Sequence, residues 1–399
     1  MEIEVLNEDR LHYWCSRIDL PGEAINELAK VAETVRQSDS LLCIFTEFHE
    51  KTAIRNEWHR EWSELPVDPS IQAFYGERTL MFYLLAYLAA LPYTEREYLR
   101  RGISMDIFHD TMLDFAYYVS DAYELDGRWG YHHFMWIWRH LSCKLFRLGR
   151  LQFMLKPFED QVTAFRNKKD GKIQLLADPG LALRSDGYAL GAGKLPLETR
   201  PFLLEPEQEE MGWHPVFEVL DNGWNGNPIS PYGFVLKNPT FLTQTDWEPV
   251  LQLGDTVLDI HIPRKDQFSV EACRDSISQA FFFFKKQFPE QPFKALFCHT
   301  WFFTIQLQQI LPAASNIVRF QREFYLYPFP GSLGFLWGFV FGDGKIDLKN
   351  IPRDTSLRRS VLDWIESGKE LFDLPGLYFQ SPSKWGSQIY MSQWDSLKQ

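Results

Sequence analysis

The sequence predicts an α+β protein: an all-helical N-terminal domain over residues 1–127, then a mixed α/β domain over 128–399 with a central sheet flanked by helices. Two patterns carry this prediction. From about Leu20 to Tyr123 apolar residues recur at three- and four-residue steps, which marks helices that bury one face. From Gly254 to Phe324 the chain instead reads strand, loop, helix, strand, broken helix.

In the first region, Pro21-Gly22 precedes a helix over Glu23–Thr34 whose stripe is Ile25, Leu28, Ala29 and Ala32. Leu41–Ala53 and Asn56–Glu64 carry mixed apolar and charged faces. Thr79–Leu91 is apolar nearly all round and belongs at the centre of its domain. Asp106–Tyr123 is amphipathic again, and Asp126-Gly127-Arg128 is the expected boundary. Tyr131–Phe146 reads as a strongly aromatic helix ended by Gly149. Leu151, Phe153 and Leu155 alternate as a half-buried strand. Lys168-Lys169-Asp170-Gly171 is a turn between strands Thr163–Phe165 and Ile173–Leu176. About 179–249 is dense in proline and glycine and reads as a long irregular stretch, an insertion or a lid.

The sheet pattern resumes at Gly254. Thr256–Ile262 is a strand that ends before Pro263, and Pro263-Arg264-Lys265-Asp266-Gln267 is a turn-forming connection. Ser269 is an N-cap, with Glu271 in the first turn, and Val270, Cys273, Ile277, Phe281, Phe284 and Phe288 form one helical stripe. Phe293–Cys298 is the next strand. A crossover helix between two strands implies a parallel pair, and such sheets bind ligands at the carboxyl ends of their strands. That edge carries His261, Arg264, Lys265, Ser269, Cys298, His299 and Trp301. Further on, Gly334–Phe341 and Lys345–Leu348 flank a turn as a hairpin would, Thr355 or Asp354 caps a helix over Leu357–Glu366, and the tail after Trp385 is polar and loosely ordered.

Composition narrows the function. The net charge of −12 leaves no basic face for general nucleic-acid binding. The 5 cysteines are scattered without metal spacing and are odd in number, which fits a reducing cytoplasm better than a disulfide framework. The acidic start Met1-Glu2-Ile3-Glu4 is not a secretory signal. The longest apolar run, Leu80–Pro92, falls short of the ~20 residues that span a bilayer. No membrane or nucleic-acid partner is expected, and no metal. His132, His133 and His140 lack a carboxylate at metal spacing and read as core or interface residues. Aromatics at 16% point to large cores, or to a carbohydrate- or acyl-binding surface.

Several motifs in order carry a resemblance. They are Asp259-Ile260-His261-Ile262-Pro263, Cys273 with Ser276, Ala280-Phe281-Phe282, and Phe297-Cys298-His299-Thr300-Trp301. Ser315-Asn316-Ile317 with Phe320 and Phe324, Ile351–Arg359 ending at Gly368, and Arg101–Ser104 with Thr111 and Asp114 follow the same pattern. Together they resemble a bacterial acyltransferase family that has a helical N-acyltransferase N-terminal domain and a C-terminal domain of GNAT-like (Gcn5-related N-acetyltransferase) fold. The resemblance covers most of the chain. It implies direct acyl transfer from acetyl-CoA or a longer acyl-CoA to a small-molecule primary amine, without a covalent enzyme intermediate. In related enzymes the helix after the second strand often carries the acid for the departing thiolate, which brings in Tyr325 or Tyr327.

One departure stands out. GNAT enzymes hold the CoA pyrophosphate with a Gln/Arg-x-x-Gly-x-Gly/Ala turn, and nothing between Ile262 and Ser269 matches it. Arg184–Ala189 fits its letters but no helical pattern follows.

Read by their chemistry, His261 stands where a base is needed, because histidine titrates near neutrality. Asp259 lies two residues earlier on the same face, able to orient the imidazole or to serve as base itself. Arg264, Lys265 and Ser269 would hold the pyrophosphate. Cys298 and Asn316 complete the expected cofactor contacts. Adjacent Cys298 and His299 point to opposite faces, which argues against a nucleophilic dyad. The missing glycine turn keeps a second reading open: a catalytically degenerate GNAT-like module that binds a small molecule or a protein. A cleft plugged by Phe281 or Trp301 would favour that module.

Overall fold

A computed structural model of the chain describes residues 3–54, 79–131, 134–192, 212–264, 266–331, 333–342 and 351–395. It divides into two compact units: Met1–Met154 with Ile262–Gln267, and Leu155–His261 with Phe268–Gln399.

The first unit is helical through α1 (Glu8–Ser16), α2 (Gly22–Gln37), α3 (Asp39–His49), α4 (Thr79–Leu88), α5 (Leu91–Arg101), α6 (Met105–Asp126) and α7 (Phe134–Leu141). The amphipathic stripes predict these well. In α2 the buried residues are Ala24, Ile25, Leu28, Val31, Ala32 and Val35, one face at helical spacing. The central α4 is buried all round, from Met81 to Leu88. The expected single helix over Thr79–Leu91 is broken after Leu88, and a new one begins at Leu91 with Pro92 in its first turn, where a missing N–H costs nothing. Ser104 caps α6 by accepting from the Asp106 N–H at 3.2 Å.

The expected helix over Tyr131–Phe146 is the clearest miss in this unit. Among the described residues Phe134–Leu141 is helical, and Leu145–Leu148 is a strand, β1. Gly149 (φ 71) is therefore a hairpin residue and not a helix end, joining β1 to β2 (Leu151–Pro157). The pairing sets Leu145 opposite Met154 and Leu148 opposite Leu151. Short apolar runs do not by themselves separate strand from buried helix.

In the second unit the main sheet has the order β2, β9 (Thr256–His261), β10 (Leu296–Thr304), β12 (Asp373–Tyr378), β11 (Tyr325–Leu326), with β2 contributing its end from Leu155. As expected, β9 and β10 are parallel and joined by a helix, α8 (Val270–Gln287). Ser269 caps α8, its Oγ accepting from the Ala272 N–H at 3.1 Å. The hairpin β3 (Val162–Asn167) and β4 (Ile173–Ala177) forms where the Lys-Lys-Asp-Gly turn predicts it, and β8 (Trp247–Leu251) pairs with β3.

The stretch expected to be irregular holds more order than its composition indicates. Beyond residues 193–211, which are outside the described set, β5 (Phe217–Leu220), β6 (Gly223–Gly226) and β7 (Thr240–Thr243) form an antiparallel meander. Pro228, Pro231, Gly233 and Pro239 fall in the connection between β6 and β7, while Gly223 and Gly226 lie within β6. Gly334–Leu336 and Trp337–Phe341 are helical and π-helical, not a hairpin strand. The polar tail includes a further helix over Ile389–Asp395, with Tyr390 and Met391 buried. α9 (Asn316–Gln321) and α10 (Ser356–Glu366) lie between, the latter capped by Thr355 as expected. Asn56–Glu64 and Lys345–Leu348 lie outside the described residues.

Asp373, 1% exposed, has one carboxyl oxygen bonded to the Thr304 hydroxyl at 2.9 Å. Burial pushes its pKa up to about 7. The folded protein thus keeps a proton that the unfolded chain gives up. The associated stability is present below about pH 4 and is lost as pH rises toward 7. In urea titrations, Asp373→Asn is expected to remove that dependence, worth a few kcal/mol on the order of magnitude given by the shift. A wild-type protein whose midpoint does not fall between roughly pH 4 and 8 would contradict this.

Candidate active site

The parallel ladder pairs Leu258 with Leu296, Asp259 with Phe297 and Ile260 with Cys298, and goes no further. Beyond it β9 ends at His261, from which the chain leaves for the first unit, while β10 continues to Thr304. The register of β10 with β12 also shifts between His299 and Thr304. His261 and His299 therefore stand at a fork between two parallel strands. Side chains alternate along a strand, so Asp259, His261, Phe297 and His299 share one face.

That face is charged. His261 Nε2 is 3.3 Å from Asp259 Oδ2, and Lys156 Nζ of β2 is 3.6 Å from the same oxygen. The Lys156 ammonium also sits 3.7 Å over the Phe297 ring, a cation–π contact. Burial opposes the charge on Asp259, but the imidazole of His261 and the ammonium of Lys156 outweigh it and hold the carboxyl below its usual range. His299 responds the other way. Burial first and Lys156 second push it down to about 4, against the pull of Asp259, so its ring is neutral near neutral pH. The His299 ring meets the edge of Phe329 with centroids 4.8 Å apart. Nearby, the buried Tyr327 hydroxyl donates a short hydrogen bond to Asp160, whose carboxyl burial pushes up.

His261 and Asp259 are thus brought together, as their spacing implies. The other sequence candidates are placed differently. The Tyr325 hydroxyl is buried and donates to the Ile229 carbonyl, on a strand separated from β9 by β10 and β12, so it does not join this cluster. Cys298 is fully buried on the opposite side of the strand from His299, beside Cys273 of α8, and burial pushes its thiol well up. A side chain in that position cannot reach a cofactor on the other face. Asn316 donates to the Phe268 carbonyl at 2.7 Å. Arg264 is paired with Asp121 at 3.1 Å within the first unit. Lys265 lies outside the described residues, as do His132 and His133.

The N-terminus of α8 is engaged by its own side chains. Ser269 caps it, and the Glu271 carboxylate is held low by its own backbone N–H and then by Arg319, 3.2 Å away. Arg319, a cation of α9 beside this helix end, escaped sequence reasoning because it lies 48 residues from Glu271. Lys156 escaped it too, since it precedes a proline on a separate strand. His299 was legible at the strand edge beside Cys298, but not as a member of this charged cluster.

Phe281 packs its ring against Phe293, and Trp301 packs against Phe302 and the Leu307–Trp337 core. Arg184 in the Arg-x-x-Gly-like turn is paired with Asp186 and Glu370. Among the described residues no group of three or more His, Cys, Asp or Glu is placed to hold a metal ion, and no helix is long and apolar enough to cross a membrane.

Residues 9–143 match the family model described as an N-acyltransferase N-terminal domain, and residues 145–378 match that of a GNAT-like C-terminal domain. The structure is similar to an acyltransferase mutant in complex with octanoyl-CoA, with a TM-score of 0.60 and 19% identity over 94% of this chain and 88% of that one. It is also similar to an acyltransferase in complex with decanoyl-CoA and teicoplanin, with a TM-score of 0.59 and 19% identity over 93% and 87% of the two chains. A third, in complex with CoA and 10C-teicoplanin, has a TM-score of 0.60 at 18% identity over 94% and 88%. At these identities the likeness is one of fold. No curated protein sequence matches the chain.

Proposed function

The chain belongs to the family that joins an N-acyltransferase N-terminal domain to a GNAT-like C-terminal domain, and from that premise we propose that it moves an acyl group from coenzyme A to a primary amine by direct transfer. The observation that carries this reading is the fork between β9 and β10, with the His261–Asp259 pair on its charged face. An extended amide-bearing chain can add alongside strand ends, and the pantetheine arm of coenzyme A is such a chain.

In the proposed reaction His261 removes a proton from the amine, and Asp259 stabilises the imidazolium that forms. The amine nitrogen bonds to the thioester carbonyl carbon, the C–S bond breaks, and coenzyme A departs, its sulfur taking up a proton to become the thiol. The solved acyltransferases that carry octanoyl-CoA, decanoyl-CoA and teicoplanin support an acyl-CoA donor and an amine-bearing acceptor.

For the pyrophosphate we propose the N-terminus of α8, with Ser269, assisted by Arg319 once Glu271 yields both it and the helix end to the incoming anion. Arg319 takes the part that Arg264 and Lys265 were expected to play. The test is calorimetry with acetyl-CoA, longer acyl-CoAs and free CoA. Arg319→Ala is expected to weaken binding of all of them by about tenfold, the order of one charge-assisted contact, while Arg264→Ala leaves it unchanged. Saturable binding that is indifferent to Arg319 would move the pyrophosphate elsewhere, and no binding of any CoA species would return the degenerate module to first place.

A further inference from the structure

We infer that His299 is a second catalytic residue, donating an N–H hydrogen bond to the thioester oxygen as negative charge gathers there during transfer. The inference rests on the acyl-transfer reading above and adds to it the group that receives this charge. Addition of an amine to a thioester turns the carbonyl oxygen into an oxyanion, and donors fixed in advance at that point supply much of the rate enhancement in acyl transfer. His261 and Asp259 account for the amine proton and leave that oxygen without a named donor.

Three observations select His299. It is the β10 counterpart of His261: each is the first residue past the last ladder pair, Ile260 with Cys298, and the two occupy the same sheet face. A carbonyl held in the fork is thereby flanked by one histidine from each strand. Second, the surroundings of His299 fix its ring. Phe329 closes on it edge-on at 4.8 Å, while Lys156 and Asp259 are the charged groups that act on it. Third, those surroundings keep the imidazole neutral, with its pKa pushed down to about 4 by burial and then by Lys156. A ring in that state is a poor base near neutral pH and too weak an acid to protonate a thiolate. It still carries one N–H, and a neutral donor stabilises a developing anion without having to part with its proton. The two histidines thus divide the work because their environments differ: His261 faces a carboxylate at 3.3 Å, and His299 faces the cation's influence.

Lys156 then acts as a positioning residue. It stands between Asp259 and the Phe297 ring, keeping Asp259 charged and His299 neutral.

The test replaces His299 by phenylalanine, which keeps a flat ring without a donor, and by asparagine, which keeps an N–H. His299→Phe is expected to lower kcat about 100- to 1,000-fold, the loss typical of one oxyanion donor, with acyl-CoA affinity by calorimetry unchanged. His299→Asn is expected to recover part of that loss. A second readout does not need turnover: the carbonyl stretching frequency of bound acetyl-CoA. In the unaltered protein it should be shifted down by the hydrogen bond, and in His299→Phe it should return to the free value. Unaltered kcat in His299→Phe, or a carbonyl frequency indifferent to the change, overturns the inference. Loss of acyl-CoA affinity in step with kcat would assign His299 a structural role and overturn it as well. Failure of the acyl-transfer reading looks different, because the unaltered protein would then bind no CoA species at all.

Discussion

Replacing His261 with alanine is expected to lower kcat about 100- to 10,000-fold, the contribution of one positioned general base, while leaving acyl-CoA affinity within about twofold. The reasoning is geometric. His261 is half-buried at the fork, and its Nε2 is 3.3 Å from Asp259 Oδ2. Its removal should empty the place of the base without disturbing α8 or the sheet. Imidazole added to His261→Ala should restore part of the rate, since the carboxylate that orients the ring remains. Asp259→Asn should lose rate by the same route, through the missing stabilisation of the imidazolium. The double variant should be little worse than His261→Ala alone, because groups that act as a unit are not additive. Full turnover by His261→Ala would sink the base assignment and shift attention to Asp259 or to water. Additive losses in the double variant would show that Asp259 acts apart from His261.

Much of this fold is legible in the sequence wherever one periodicity runs long enough. The stripes of α2 and α8 are unambiguous, and so is the strand–helix–strand unit that produces parallel β9 and β10. Legibility fails where segments are short. Leu145–Leu148 has four apolar or amphipathic residues directly after a helix, and nothing local says that the chain has turned into a strand. The meander β5–β7 hides for a related reason: four-residue strands joined by glycine and asparagine carry too little alternation to register.

The candidate site divides along the same line. Asp259 and His261 are two apart on one strand, so period two alone puts them together. Lys156, His299 and Arg319 reach their places through sheet order and helix docking, which link residues far apart in the chain. The sequence also offers Cys298 and Tyr325 as chemically plausible, yet polarity of type does not settle which face a side chain takes or which partner claims it. Cys298 is on the α8 side of β10, and the Tyr325 hydroxyl is claimed by Ile229.

Neutralising Asp114 is expected to cost the first unit about 3–5 kcal/mol at neutral pH, the penalty for breaking a buried charged network from one side. Asp114 Oδ2 accepts from His140 Nε2 at 3.0 Å, Gln152 Nε2 at 2.8 Å and Trp136 Nε1 at 3.1 Å. These donors come from α7 and β2, so one carboxylate of α6 ties that helix to the hairpin. His140 is completely buried, and its Nδ1 faces the Trp136 carbonyl at 3.1 Å. In Asp114→Asn the amide presents donors to donors, and the partners have no water to turn to. The pH dependence fixes the cause. Burial alone would raise the carboxyl of Asp114, but the hydrogen bond and charge of His140, followed by Gln152 and Trp136, bring it below its usual range. A depressed folded pKa means that the stability is present above the unfolded value of about 3.9 and is lost as pH falls through the folded one. In urea titrations the gap between Asp114→Asn and the unaltered protein should therefore be widest near neutrality and should narrow in acid. A gap of the same size in acid would mean that shape, and not charge, holds α6 to the hairpin.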